Sequence, residues 1–167
     1  LVELREQGVV GAVGVGMNHP EVPAEAIRRT DLDLVMIAGR YTVLEQPALA
    51  ELLPLAQERG VGYVAASVFN SGLLSRPRPS PGLTYDHGPV PPGLLARVNA
   101  IADLAERYGV QLPDVAVQFP LRHPAVVSVP LGVRTADEVA ENALRCTTAI
   151  PEELWTELAT LDAKNAP

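Results

Sequence analysis

Four short, uninterrupted apolar segments, separated by helical patterns, constrain the fold of this chain more than any other feature. None of them alternates polar with apolar residues, as a strand with one solvated face does. Continuous apolar segments are typical of strands buried on both faces of a parallel sheet. The sequence therefore predicts an α/β protein, with strands at residues 9–15 (VVGAVGV), 32–38 (LDLVMIA), 61–66 (VGYVAA) and 126–130 (VVSVP).

The segments between these strands have helical periodicity. Residues 47–59 and 94–108 place apolar side chains three and four positions apart, and Gly60 and Gly109 follow as helix-ending residues. The resulting order is β-α-β-α-β-loop-α-α-β-α-α, which favours right-handed parallel connections. Further helices are predicted at residues 23–30, at 113–122 (short or bent at Pro120), and around Leu154, Trp155, Leu158 and Leu161.

Thr135 and Glu138 have the spacing of a capping box, in which each residue satisfies a backbone N–H at the start of a helix. An amphipathic helix is predicted to follow, with an apolar face formed by Val139, Ala140, Ala143 and Leu144.

One connection is much longer than the others. Residues 67–92 contain six prolines and no clear periodicity. Because long connections in compact α/β proteins are usually functional, this segment is predicted to be a lid or binding loop.

Four buried strands are few for such a fold, because the two outer strands of an open sheet expose their pairing edges. Closure into an eight-stranded (β/α)8 barrel removes both edges but takes about 250 residues, and the chain has 167. The opening residues LVELREQG resemble the last turns of a helix ended by Gly8. We therefore expect one partial domain over residues 1–167, the C-terminal half of a TIM barrel, with about its fifth to eighth strands and their helices.

The composition excludes several classes of protein. Thirteen lysines and arginines against 20 acidic residues give a net charge of −7, which argues against a protein that tracks a phosphate backbone. The single cysteine excludes a disulfide framework. No apolar run approaches the roughly 18 residues of a membrane span, and no signal peptide is evident. A cytoplasmic protein without nucleic-acid or membrane partners is expected.

Glycines crowd the first predicted strand and invite comparison with a dinucleotide-binding fingerprint. Gly14 and Gly16 have the first spacing of G-x-G-x-x-G, but the third glycine and the helix are missing, although Asp33 lies near the offset of the acidic residue. Close packing between barrel strands is the favoured interpretation, and an unrelated doubly wound NAD-binding domain is the alternative.

No metal site or catalytic nucleophile is predicted. His19, His87 and His123 have neither helical i, i+4 spacing nor a nearby cysteine. Cys146 lies in a helical pattern and is predicted to be a small buried apolar residue.

Polar residues follow each predicted strand, at the end where barrel enzymes place their active sites. Collected at one rim, they favour a ligand site over isolated loop contacts. They are Asn18, His19, Arg40, Tyr41, Thr42, Ser67, Asn70, Ser71, Arg134, Thr135 and Glu138.

At these residues the chain resembles the C-terminal half of an aldo/keto reductase, over nearly its whole length. It is most similar to the branch that oxidises free aldoses, the L-fucose and D-threo-aldose dehydrogenases. The resemblance implies a (β/α)8 barrel that holds NAD(P) extended over its carboxyl rim. The segments that carry it are residues 14–18 (GVGMN), 38–46 (AGRYTVLEQ), 68–74 (VFNSGLL), 117–121 (VQFPL) and 129–142 (VPLGVRTADEVAEN).

The resemblance also implies positions for the nicotinamide. Asn18 falls where the family binds the carboxamide, and Met36 falls near a second amide-binding position whose hydrogen bonds methionine cannot make. Ala66 replaces an aromatic residue that many members stack on the ring. Tyr41, displaced by a longer loop, is expected to stack there instead.

Other matched positions surround the rest of the cofactor. Ser67, Phe69 and Ser71 match the loop that lies along the pyrophosphate. The region around the adenosine is matched by Gly132, Arg134, Glu138, Glu141 and Asn142.

Glu138 bears on the choice between NAD and NADP. Members that prefer NADP commonly have arginine there, facing the 2′-phosphate. A carboxylate repels that phosphate and accepts from a ribose 2′-hydroxyl, so NAD is expected, with NADP possible. The alternative is that Glu138 serves only the capping box.

The family's catalytic Asp, Tyr, Lys and His lie on earlier strands, and none of those positions is matched in this chain. We therefore expect the isolated chain to bind cofactor without transferring hydride. The parent enzyme is expected to oxidise an aldose, or another small sugar or carbonyl compound, at C1. The alternative is a non-catalytic half-barrel that closes as a homodimer.

Overall fold

The computed structural model describes residues 1–79, 82–86 and 88–165. His87, and the two residues at positions 80 and 81 of the predicted loop, lie outside the described residues.

The helices and strands alternate in the predicted order. The helices are α1 (Val2–Glu6), α2 (Glu21–Arg29), α3 (Leu52–Arg59), α4 (Pro92–Arg107), α5 (Leu112–Gln118), α6 (Ala136–Thr147) and α7 (Glu152–Asn165), with 3₁₀ turns at Pro47–Ala50 and Pro120–Arg122. The strands are β1 (Gly14–Met17), β2 (Leu34–Ala38), β3 (Gly62–Ala66), β4 (Thr84–Tyr85), β5 (Gly88–Pro89) and β6 (Val126–Ser128).

The chain divides into two compact units. The first comprises Leu1–Val68 and Phe119–Gly132, and the second comprises Phe69–Gln118 and Val133–Pro167.

The first unit contains a four-stranded sheet in the order β1-β2-β3-β6, and all of its pairings are parallel. The prediction of an α/β protein with a parallel sheet is therefore confirmed. On one face, Val35 and Ile37 of β2 and Tyr63 and Ala65 of β3 are fully buried. They pack against apolar side chains of α2 and α3, including Ala24, Ile27, Leu52, Leu53 and Ala56.

The first strand begins later than the apolar segment predicts. Gly8 adopts φ +72°, and the N–H groups of Val9 and Val10 then donate to the Leu4 carbonyl at 2.9 and 3.3 Å. The prediction of a strand from residue 9 was wrong, because these valines close α1 instead of pairing in the sheet.

Gly14 is required by the close approach of β1 and β2. A Cβ at this position would overlap the Leu34 carbonyl oxygen and lie 2.7 Å from Leu34 Cδ1. The same atom at Gly16 would be 3.9 Å from its nearest neighbour, Met36 Cβ. Gly14 is thus a strand-packing residue, as the favoured interpretation predicted.

Asp33 has a structural partner at the amino end of β2. Its carboxylate accepts from the Val13 N–H at 2.7 Å and forms an ion pair with Arg5 at 2.7 Å. The Arg5 hydrogen bond, followed by that from Val13, lowers the pKa of this carboxyl. A doubly wound dinucleotide domain needs its glycines in a strand-to-helix turn. Gly14 and Gly16 lie inside β1, and this alternative is wrong.

The second unit consists of α4 to α7 and an antiparallel hairpin of β4 and β5, which the sequence did not predict. The apolar patterns of its two longest helices are confirmed, because Val98, Ile101 and Ala105 of α4 and Leu154, Trp155 and Leu158 of α7 are buried. Among the helices that the structure describes, none combines the length and apolar composition needed to cross a bilayer.

The predicted burial of α6 was wrong. The side chains of Val139 and Leu144 are 53% and 68% exposed, and Cys146 is exposed as well. Asn142 is the buried residue of this helix. Hydrogen bonds hold the C-terminal end of this helix, since Gln118 Nε2 donates to the backbone carbonyls of Arg145 and Thr148 at 2.7 and 2.8 Å.

Candidate functional site

In the first unit, the carboxyl ends of β1, β2 and β3 form one edge of the sheet. Asn18 follows β1 and Ser67 follows β3, and both are exposed. Between them, the Gly39 N–H donates to the Ala66 carbonyl at 2.9 Å. Arg40 Nε donates to the Asn18 carbonyl at 3.0 Å. Three of the predicted residues, Asn18, Arg40 and Ser67, therefore lie at this edge.

Met36 lies on the sheet face opposite the helices. Its neighbours in β2, Val35 and Ile37, are fully buried, whereas Met36 is 42% exposed. Because successive side chains of a strand point to opposite faces, Met36 and the partly exposed Ala66 present an apolar surface next to the carboxyl edge.

Tyr41 is placed differently from its prediction. Its side chain is 7% exposed, and its ring contacts the rings of Tyr63, Phe119 and His123 at centroid distances of 6.2, 5.4 and 5.6 Å. Burial raises the pKa of Tyr41. A ring enclosed by three others has no free face for a nicotinamide, so this burial argues against the predicted stacking role.

Thr42 explains why Tyr41 turns inward. The Thr42 hydroxyl, fully buried, accepts from the N–H groups of Leu44 and Glu45 at 3.1 and 3.0 Å. The Thr42 N–H donates to the Glu45 carbonyl at 2.8 Å. This side-chain turn closes the loop after β2 and was missed, although threonine in a loop is a known turn residue.

The segment after β3 has an unusual backbone. Ser67, Asn70 and Ser71 have φ angles of +56°, +45° and +57°, and Gly72 has +90°. Left-handed conformations are costly for residues with a Cβ, and they concentrate at binding sites. Successive N–H groups in such conformations form concavities that bind anions. This is the segment that the resemblance assigns to the pyrophosphate.

Phe69 and Ser71 are held within this segment. The Phe69 carbonyl accepts from the N–H groups of Gly72 and Leu74 at 3.0 and 3.1 Å. Phe69 is half-buried and Ser71 is exposed. The backbone is thus fixed while the Ser71 hydroxyl remains accessible.

In the second unit, Arg134 and Glu138 form a local pair at the start of α6. Arg134 donates from its N–H to Glu138 Oε2 at 2.6 Å, and from its guanidinium to Oε1 at 2.7 and 3.2 Å. The side-chain bond to Arg134, followed by the backbone N–H, lowers the pKa of Glu138. The Arg134 side chain is 86% exposed, so its outer surface stays open to a ligand.

One of the two hydrogen bonds of the capping box is formed. Thr135 Oγ1 accepts from the Glu138 N–H at 3.2 Å, as predicted. The Glu138 carboxylate does not return to Thr135 but binds the preceding N–H, that of Arg134.

The remaining predicted residues also have defined positions in the structure. Gly132 is exposed, and a Cβ there would meet no atom within 4 Å. Arg145 donates to Asn142 Oδ1 at 2.6 Å and to Glu141 Oε2 at 3.0 Å. Asn142 is therefore buried with its carbonyl oxygen occupied, whereas the Glu141 carboxylate is exposed.

Among the residues with described side chains, no group of three His, Cys, Asp or Glu residues has the geometry to hold a metal ion.

A parallel sheet with polar residues at its carboxyl edge is found both in TIM barrels and in open α/β sheets, and the solved structures distinguish the two. They indicate the TIM-barrel type: the holo form of an aldo-keto reductase from Bacillus halodurans aligns with a TM-score of 0.77 at 26% identity, covering 96% of this chain and 53% of that one. Glycerol dehydrogenase from Gluconobacter oxydans aligns with a TM-score of 0.76 at 20% identity, covering 99% and 53%, which shows the fold alone.

The sequence comparison is more specific. Residues 1–163 match the Aldo/keto reductase family. The chain is 44% identical over 159 residues to D-threo-aldose 1-dehydrogenase from a Pseudomonas species, and 41% identical over 158 residues to pyridoxal 4-dehydrogenase from Microbacterium luteolum. Each alignment covers 95% of this chain, and 48% and 46% of the relatives. The chain thus spans about half the length of the curated relatives it matches.

The chain belongs to the aldo/keto reductase family, an oxidoreductase family, and the resemblance found in its sequence is confirmed.

Proposed function

We propose that this chain is the cofactor-binding half of an NAD(P)-dependent aldo/keto reductase that oxidises an aldose at C1. The observation that carries the proposal is the 44% identity to D-threo-aldose 1-dehydrogenase over 159 residues. The relative named pyridoxal 4-dehydrogenase acts on an aldehyde-bearing ring compound, so the chemistry that the two names share is oxidation at a carbonyl-level carbon.

The residues of each unit fit parts of NAD(P). Asn18, exposed at the carboxyl edge of the sheet, would hold the nicotinamide carboxamide. The left-handed backbone at Ser67 and Ser71, with Phe69 between them, would lie along the pyrophosphate. Tyr41 is not part of this proposed cofactor site, because its side chain is buried. The adenosine would be bound by Gly132, Arg134, Glu138, Glu141 and Asn142.

A bound NAD(P) would supply the hydride acceptor for oxidation of the sugar carbon. This chain's own residues would bind and orient it. The apolar surface of Met36 and Ala66 would exclude water from the ring. Neither Tyr41 nor Tyr63 suits proton transfer, because both are buried and burial raises the pKa of each. In this proposal the general acid–base groups come from outside the chain.

The Arg134–Glu138 pair favours NAD over NADP. A 2′-phosphate that approaches Arg134 also meets the Glu138 carboxylate, which is ionised at neutral pH and whose pKa the hydrogen bonds from Arg134 lower further. A ribose 2′-hydroxyl, by contrast, donates to that carboxylate without a charge penalty.

We expect the chain to bind NAD roughly fivefold or more tightly than NADP, and Glu138→Gln to narrow this ratio by strengthening NADP binding, because one repulsive charge is removed. Calorimetric titration of both dinucleotides measures the ratio. Asp137→Asn, which removes a neighbouring exposed charge in the first turn of α6, is the matched control and should leave the ratio of affinities unchanged.

Absence of binding to either dinucleotide contradicts the cofactor proposal, and equal affinities contradict the NAD preference. NADH formation from NAD and L-fucose by the chain alone contradicts the half-enzyme proposal.

A second candidate function is a half-barrel that closes as a homodimer. Within the described residues, the outer strands β1 and β6 pair on one side only. Neither strand carries a charged residue or proline, the usual protection of a free edge. A second copy related by a twofold axis would pair its β1 with β6 and complete an eight-stranded barrel.

If this is correct, light scattering after size exclusion gives twice the 17.8 kDa of one chain. Val127→Lys places a charge on β6 and should yield monomers with an unchanged circular dichroism spectrum, because lysine opposes edge pairing. Val22→Lys, at an exposed apolar residue of α2, is the control and should remain dimeric. A monomeric wild-type chain rules out this candidate.

A further inference from the structure

The first unit has a second concave surface, at the amino edge of its sheet. It is a cleft of about 260 Å³ between the C-terminal ends of α2 and α3. Arg28 and Arg29 of α2 and Arg59 of α3 line it, together with Asp31. Asn18 and Ser67 follow the opposite ends of the strands, so this cleft is not part of the proposed cofactor site.

The charges at this cleft are unequally neutralised. Arg28 binds Glu51, and Arg29 binds Glu25 at 2.5 Å. Asp31 is occupied by Arg5 at 2.6 Å. Within the described part of the chain, Arg59 has no ion-pair partner. The negative charge of Asp31 is therefore neutralised by a residue outside the cleft. The guanidinium of Arg59 is left to bind a ligand.

The C-terminal ends of α2 and α3 influence the charge of the ligand that can bind. Each C-terminus carries roughly half a negative charge, which opposes an anion. The guanidinium of Arg59, which carries a full positive charge, offsets about two such half charges. Arginine also binds carboxylate and phosphate through two parallel hydrogen bonds, which a lysine cannot do.

Part of the lining is apolar. Ile27 and Val61 are 3% and 4% exposed, and Leu32 is half-buried. Because Ile27 and Val61 are already covered, Leu32 is the lining residue against which a ring or short alkyl chain of a ligand buries further apolar area. Pockets with an apolar wall and a few convergent polar groups are typical of small-molecule sites.

We propose that this cleft binds a small organic anion, with a carboxylate or phosphate ester on Arg59 and Arg29 and an apolar body against Leu32. The site goes beyond the proposed function and does not depend on it.

Phenyl phosphate is a suitable probe, titrated calorimetrically into the full chain at low salt. Saturable binding is expected, and Arg59→Gln should weaken it about tenfold or more, because a charge-assisted bidentate contact is lost. Arg29→Gln is the second variant, and Arg76→Gln, an exposed arginine outside the cleft, is the control that should bind like the wild type. Thermal melting of each variant verifies that it is folded.

Three results would overturn the proposal. They are no saturable heat with phenyl phosphate, equal affinity in wild type and in both folded cleft variants, and equal affinity for inorganic phosphate. Saturating NAD should leave the affinity for phenyl phosphate unchanged, because the cofactor residues of this unit follow the other ends of the strands. Failure of NAD to bind would therefore not affect this test.

Discussion

Replacement of Gly14 by alanine should destabilise the chain by about 3 kcal/mol, because the new methyl group overlaps the backbone of the neighbouring strand. The contact is with the Leu34 carbonyl oxygen, which cannot rotate away as a side chain does. Relief requires β1 to move from β2, although all four residues of β1 are paired with β2 in register. Urea unfolding followed by circular dichroism measures the loss.

Gly16→Ala is the matched control for this experiment. Both glycines lie in β1, two residues apart, and both substitutions add a single methyl group. The Cβ at Gly16 would meet Met36 Cβ at 3.9 Å, an ordinary contact. Because alanine also reduces the freedom of the unfolded chain, this variant should be neutral or more stable by up to about 1 kcal/mol. Equal destabilisation by the two substitutions would show that strand spacing is not what requires Gly14.

Replacement of Tyr41 by alanine should cost about 3–5 kcal/mol, the usual range for removal of a buried aromatic ring. The ring is 7% exposed and packs edge-on against Tyr63 and His123 and at a tilt against Phe119. Its loss removes three aromatic contacts and leaves a cavity. The midpoint of urea unfolding again provides the measurement.

Tyr41→Ala also separates a role in the core from a role in stacking on the nicotinamide, and Tyr41→Phe is its control. The control keeps the ring and its contacts, so stability should change by less than about 1 kcal/mol, and the affinity for NAD should be unchanged. If Tyr41→Ala instead weakens NAD binding while unfolding at the wild-type urea concentration, the ring serves the cofactor and not the core.

The two expectations about Gly14 and Tyr41 had different outcomes for a physical reason. The strands and their parallel pairing could be predicted because continuous apolar segments and helix-ending glycines are local signals. The position of Tyr41 depends on a turn closed by the Thr42 hydroxyl, which accepts two backbone N–H groups. Hydrophobic periodicity does not report such side-chain-to-backbone bonds, so a loop residue was placed at the rim when it belongs to the core.

The error at α6 has another cause. Periodicity correctly identifies that Val139 and Leu144 share an apolar face, but it does not tell whether another element covers that face. In the structure they are exposed, and Asn142 is buried beside Arg145. The same limit applies to the candidate site, since the resemblance gives Arg134 and Glu138 as cofactor positions but not the ion pair between them.

The left-handed backbone at Ser67, Asn70 and Ser71 has a consequence for the kinetics of recognition. Each such conformation costs about 1–3 kcal/mol, and the folded chain already bears that cost without any ligand. A ligand that docks on this segment meets a preorganised surface and loses little affinity to ordering entropy. Association should then proceed as a single encounter step, without the slow conformational phase that follows when a disordered loop has to fold around its target.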